Sequence, residues 1–100
     1  MMPNMDIDQI RKLVTPILKQ HGTEFAGVFG SYARGEANEK SDVDLLVRLS
    51  EPLSLIELVG LERELSDALG VKTEVVTEKS LHHYIAPFVF QDLKPLYGER

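Results

Sequence analysis

The sequence predicts one small α/β (α+β) domain, a mixed β-sheet flanked by helices. Three observations predict it. Helical and strand patterns follow one another as helix, strand, loop, strand, helix, strand, helix. Each of the two longer helical patterns is followed by a glycine, Gly22 and Gly70. The chain of 100 residues, 43 % hydrophobic and 27 % charged, has the length and balance of a single domain spanning 1–100.

From Asp6 to His21 the apolar residues Ile7, Ile10, Leu13, Val14, Ile17 and Leu18 recur at helical spacing, with Asp6 or Asp8 near the start. Pro16 inside this pattern predicts a kink or a local break in the hydrogen-bond ladder. Glu24 to Phe29 reads as a short strand that ends at Gly30. Gly30 to Lys40, with its glycines, serine and alanines, reads as a turn, one helical turn, then a polar loop. Val43 to Leu49 is a second strand, with Val43, Leu45, Val47 and Leu49 on one side and Asp42, Asp44, Leu46 and Arg48 on the other.

Ser54 and Glu57 form a capping box, each able to satisfy a backbone amide of the other's turn. The helix they open carries Leu55, Leu58, Val59, Glu62, Leu65 and Leu69 and stops at Gly70. Val71 to Thr77 is a third strand, rich in β-branched residues. Ser80 is placed to cap a last helix holding Tyr84, Ile85, Phe88 and Val89, with Pro87 interrupting it. Leu93 to Tyr97 fits a short edge strand.

Composition excludes several functions. With no cysteine, a metal must be held by oxygen or by the three histidines. The net charge of −5 and the absence of any basic cluster argue against duplex DNA or structured RNA as a main partner. Met1-Met2-Pro3-Asn4-Met5-Asp6 does not read as a signal peptide and no long apolar run exists, so the cytoplasm is the expected location. His82 and His83 are adjacent and make a poor metal pair, and His21 ends a helix without evident chemistry.

The informative stretch is Phe29-Gly30-Ser31-Tyr32-Ala33-Arg34-Gly35, followed by Ser41-Asp42-Val43-Asp44. Asp42 and Asp44 share a strand face with α-carbons about 7 Å apart. At an effective dielectric of about 20 their charges repel by roughly 2 kcal/mol, which either water or a cation between them relieves. Magnesium suits such a pair, because it takes hard oxygen ligands and bridges carboxylates to phosphates. Glycine directly after a strand permits close backbone approach, and the amides that follow can cradle anionic oxygens. Gly30 and Ser31 would hold a triphosphate, and Asp42 and Asp44 the metal that neutralises it. Arg34 can pair with phosphate oxygens or sit solvated in the turn; Ser41 braces the loop. Tyr32 can pack beneath the cradle.

Gly30-Ser31, ten intervening residues, then Asp42-Val43-Asp44 resembles the signature of the DNA polymerase β-like nucleotidyltransferases. More narrowly, Gly30-Ser31-Tyr32-Ala33-Arg34-Gly35 with Ser41-Asp42-Val43-Asp44-Leu45 is similar to the minimal nucleotidyltransferases of prokaryotes, the antitoxins paired with HEPN-domain toxins. The resemblance covers nearly the whole chain. It implies the polymerase β-like palm fold, two magnesium ions held by Asp42, Asp44 and a third acidic residue, and ATP as substrate. The family usually carries that third residue as aspartate on the strand after the long helix; Glu74 stands at the matching position here. Glu74 would ligate metal, or orient and deprotonate the attacking hydroxyl; the alternative is a solvated strand glutamate.

The resemblance further implies transfer of AMP from ATP to a protein hydroxyl, a tyrosine of the HEPN partner, within a hetero-oligomer. The alternative is a catalytically weak antitoxin that neutralises its partner by contact, with Glu74 and the apolar run Ile85, Phe88, Val89, Phe90 in its support. Filling the core is the competing use of those four.

Overall fold

The computed structural model describes residues 5–99; Met1 to Asn4, where the leader reading falls, and Arg100 lie outside the described residues. The elements are α1 (Ile7–Gln20), β1 (Thr23–Phe29), α2 (Ser31–Arg34), β2 (Val43–Leu49), α3 (Leu55–Leu69) and β3 (Thr73–Thr77). A 3-10 turn (Glu78–Ser80), α4 (Ala86–Asp92) and β4 (Lys94–Tyr97) complete the fold.

Each long helix starts where its side chains can serve the free backbone amides. Asp6 accepts from the Gln9 amide while the Gln9 side chain accepts from the Asp6 amide, and Ser54 and Glu57 repeat the device on α3. Gly70 ends α3 in the left-handed region at φ 71°. Pro16 does not break α1, which continues to Gln20. Pro16 and Lys12 both face solvent, where water can serve the carbonyl left without a donor.

The four strands lie in the order β3-β2-β1-β4. β1 runs antiparallel to both β2 and β4, whereas β2 and β3 are parallel, their connection made by α3. α1 and α3 cover one face. There Ile10, Val14 and Leu18 of α1 and Leu61 and Leu65 of α3 meet Ala26, Val28, Val43, Leu45, Val47 and Val75 from alternate strand positions.

The other face is covered unevenly: Leu46 of β2 is fully buried on it, whereas Asp44 is half-buried and Glu74 exposed. α4 crosses it beside β1, with Val89 buried, and Leu93 sits where a side chain on Gly27 would otherwise be. Beside β2 and β3 the same face carries Asp44 and Glu74. These two carboxylates mark the candidate site.

The C-terminal region departs from the sequence reading. β3 begins at Thr73, not Val71. Thr77, not Ser80, is the capping residue, and it accepts from the Ser80 amide to close a 3-10 turn. The last helix starts only at Ala86, and Pro87 lies in its first turn, where no amide hydrogen is required. Of the apolar run, Val89 is buried and Phe90 half-buried, while Ile85 and Phe88 are exposed beside Tyr84. The edge strand at the C-terminus is present as β4.

The outer edge of β3 is closed from α3. Ser66 Oγ accepts from the Thr73 amide at 2.8 Å, and Glu62 Oε2 accepts from the Val75 amide at 2.7 Å. Glu62 thus interrupts the apolar stripe of α3 because an edge strand needs acceptors for its outward amides.

Candidate active site

β1 ends at Phe29, and Gly30 turns the chain into the single turn of α2. Gly30 has φ 77° and ψ −154°, a region open almost only to glycine. A β-carbon there would lie 2.5 Å from Asp44 Oδ2. The motif glycine is therefore required twice, for its dihedrals and for the close approach of its backbone to the Asp44 carboxylate.

Ser31 opens α2, and its hydroxyl has no hydrogen-bond partner among the described residues. Tyr32 and Ala33 are buried in the core, anchoring the turn from below. Gly35 closes it at φ 72°, and the Glu36 amide bonds back to the Ser31 carbonyl at 2.9 Å. Ser41 braces the loop as expected: its Oγ accepts from the Asn38 amide at 2.9 Å.

Strand pairing brings the acidic residues together. Asp44 on β2 is the direct partner of Phe29 on β1 and of Glu74 on β3. Asp42 immediately precedes β2. Burial, with the charges of Glu74 and Asp42 beside it, pushes the Asp44 carboxyl up to about 6, and Arg34 pulls weakly the other way. Asp44 is thus the strained member of the trio, the group with most to gain from a cation.

One cation already stands among these carboxylates. Lys72 Nζ lies 3.5 Å from Glu74 Oε1 and 3.9 Å from Asp42 Oδ2. The donor set is hard oxygen with an excess of negative charge, which fits magnesium. The trio is nevertheless open: among the described residues, no three His, Asp or Glu side chains are drawn close enough to hold a metal ion.

Arg34 is exposed, and its guanidinium is engaged by two carboxylates. Its Nε donates to Glu36 at 2.7 Å and its Nη1 to Asp92 at 2.6 Å, tying α2 to the end of α4. Asp92 was not legible as a site residue, since it lies 58 positions from Arg34 and no motif links them. Lys72 was missed too, although its spacing of two from Glu74 on a strand was the available signal.

The histidines stay outside the site. His21 caps α1 and stands 3.2 Å from Glu64, and His82, His83 and Tyr84 stack on one another at the surface.

The nucleotidyltransferase domain family matches residues 10–95. The protein adenylyltransferase MntA of Thermococcus cleftensis is 38 % identical over 96 residues, covering 92 % of this chain and 97 % of the relative. A solved toxin–antitoxin with AMP-PNP superposes with a TM-score of 0.82 at 24 % identity, over 90 % of this chain and 74 % of the matched one. A tri-AMPylated Shewanella oneidensis HEPN toxin in complex with MNT antitoxin gives 0.76 at 21 % identity, over 93 % and 73 % of the two chains. At such identities the likeness to the two solved complexes is one of fold.

Proposed function

We propose that this chain, which belongs to the nucleotidyltransferase domain family, transfers AMP from ATP to a hydroxyl of a partner protein and thereby serves as an antitoxin. The observation that carries this reading is the contact of two devices. The Gly30-Ser31 turn, shaped to receive phosphate oxygens, lies directly against Asp44 at the centre of the acidic trio. The Thermococcus relative is a protein adenylyltransferase, and the MNT antitoxin in the Shewanella complex sits with an AMPylated HEPN toxin. A HEPN toxin is accordingly the proposed partner and a tyrosine hydroxyl the proposed acceptor, with chain 1–100 working as one domain in the cytoplasm. Among the described residues no helix is long and apolar enough to cross a membrane.

The residues take the following roles. The amides after Gly30 and the Ser31 hydroxyl receive triphosphate oxygens. Arg34 adds a planar fork, held beside the cradle by Glu36 and Asp92. Asp42, Asp44 and Glu74 would hold magnesium, two ions in this reading, which when bound screens the triphosphate charge and acidifies the acceptor hydroxyl. Glu74, on the exposed edge strand, orients that hydroxyl and takes its proton. The hydroxyl oxygen attacks the α-phosphorus, the bond to the β-phosphate oxygen breaks, and pyrophosphate leaves. Glutamate places this carboxylate one methylene further out than the usual aspartate.

The test is label transfer from α-labelled ATP with magnesium, using the adjacent toxin or a source-cell lysate, beside an Asp42→Asn/Asp44→Asn variant. Label on a protein band that the variant fails to produce supports the proposal and identifies the acceptor. No label with any nucleotide, while the chain still silences its partner, would replace transfer with neutralisation by contact. The exposed Tyr84, Ile85 and Phe88 offer a surface for such contact.

A further inference from the structure

Two cations border the acidic trio, and they are held differently. Arg34 has two carboxylates of its own, Glu36 and Asp92, both at hydrogen-bond distance. Lys72 pairs, among the described residues, with two members of the trio: its ammonium stands between Glu74 and Asp42 at 3.5 and 3.9 Å, longer than a good hydrogen bond, on a side chain that is 71 % exposed. Its backbone is fixed where its side chain is not. The Lys72 carbonyl accepts from the Val43 amide at 2.9 Å, which sets the residue opposite the peptide between Asp42 and Asp44. An exposed, loosely paired cation thus stands between two carboxylates of the open trio, Asp42 and Glu74.

An ammonium and a divalent ion compete for these oxygens, because the repulsion between them is twice that of two unit charges at the same distance. We propose that Lys72 is the resident counterion of the acidic centre and that it changes partners during loading. A divalent cation displaces its ammonium from Asp42 and Glu74, and the ammonium moves to the oxygens of the triphosphate that arrives with the metal. Free metal alone meets a competitor with nowhere better to go. Metal together with nucleotide supplies the ammonium with a new anion, so the two bind as one event. This rests on the reading of Asp42, Asp44 and Glu74 as metal ligands given above.

The experiment compares the full chain with Lys72→Gln and Lys72→Arg, titrating Mn²⁺ by electron paramagnetic resonance with and without a non-hydrolysable ATP analogue. Circular dichroism confirms that each variant is folded, as expected for so exposed a side chain. Lys72→Gln should bind Mn²⁺ alone about tenfold more tightly than the parent, and the gain in Mn²⁺ affinity on adding the analogue should shrink about tenfold. Lys72→Arg should keep the parental pattern. Equal or weaker Mn²⁺ binding by Lys72→Gln overturns the counterion role while leaving the metal centre standing. No Mn²⁺ binding by any of the chains, with or without nucleotide, removes the metal centre and the role of Lys72 together.

Discussion

On one side of β2, Val43, Leu45 and Val47 are fully buried beneath α1 and α3. On the other, Asp44 stands beside Asp42 and Glu74 with its carboxyl pushed up to about 6. Neighbouring residues on one strand thus face opposite conditions. The first set gives up only apolar surface to its surroundings and is stabilised by doing so. The second is held in a repulsive arrangement that the strand would not adopt for its own sake. The packed face is what allows the acidic face to exist, because register fixed by Val43 and Leu45 dictates where Asp44 must point.

The sharpest break between the faces is Asp44→Asn. It should reduce nucleotidyl transfer about a thousandfold, as loss of a group that would hold the metal at the reacting phosphate does, while leaving the fold intact. Label transfer measured beside a thermal melt checks both halves. Leu45→Ala, one residue on, should invert the pattern: about 3 kcal/mol of stability lost from the core, read as a lower denaturant midpoint, with transfer kept in whatever remains folded.

Gly30→Ala joins the two faces, since the new methyl would need a forbidden backbone region and would press on Asp44 Oδ2. A cost of about 2–3 kcal/mol is expected together with lost transfer. Gly35→Ala, with nothing within 4 Å of the added carbon, should cost only about 1 kcal/mol and spare activity. Equal effects at the two glycines would show that Asp44 does not depend on the bare backbone at Gly30.

A further difference between the faces is in pH. In the unfolded chain Asp44 titrates near 3.8, in the folded one near 6, so between these values the folded state binds the extra proton. Its contribution to stability is therefore greatest below pH 3.8 and is lost as pH rises through about 6. Asp44→Asn has no such loss. Discounted for its partial exposure, the advantage of the variant over the parent should grow by about 1–2 kcal/mol between pH 4 and pH 8. Parallel stability curves for the two proteins would show that Asp44 is not strained.

The front half of the candidate site was legible as one unit, because its parts are close along the chain. Gly30, Ser31, Asp42 and Asp44 belong to one strand–turn–strand unit, where a period of two already says which carboxylates share a face. The residues the sequence could not supply join the site from elsewhere. Asp92 reaches Arg34 from the end of α4, Lys72 reaches Asp42 from just before β3, and Leu93 takes the space that Gly27 leaves. The C-terminal region was also misread where two signals competed. Ser80 and Thr77 can each cap a turn, and Pro87 suits a helix start as well as a helix break.

What the sequence determined by itself was local: the capping boxes, the glycine stops, the alternation along β2 and the spacing of the nucleotide motif. Each follows from dihedral preferences and from a period of 2 or 3.6 residues, which neighbours along the chain are enough to set. Only the tertiary structure decided which carboxylate is strained, which cations stand near the trio and where α4 crosses the second sheet face. Those outcomes depend on distance and burial between β1, β2, β3 and α4, and electrostatic energy follows separation in space whatever the separation in sequence.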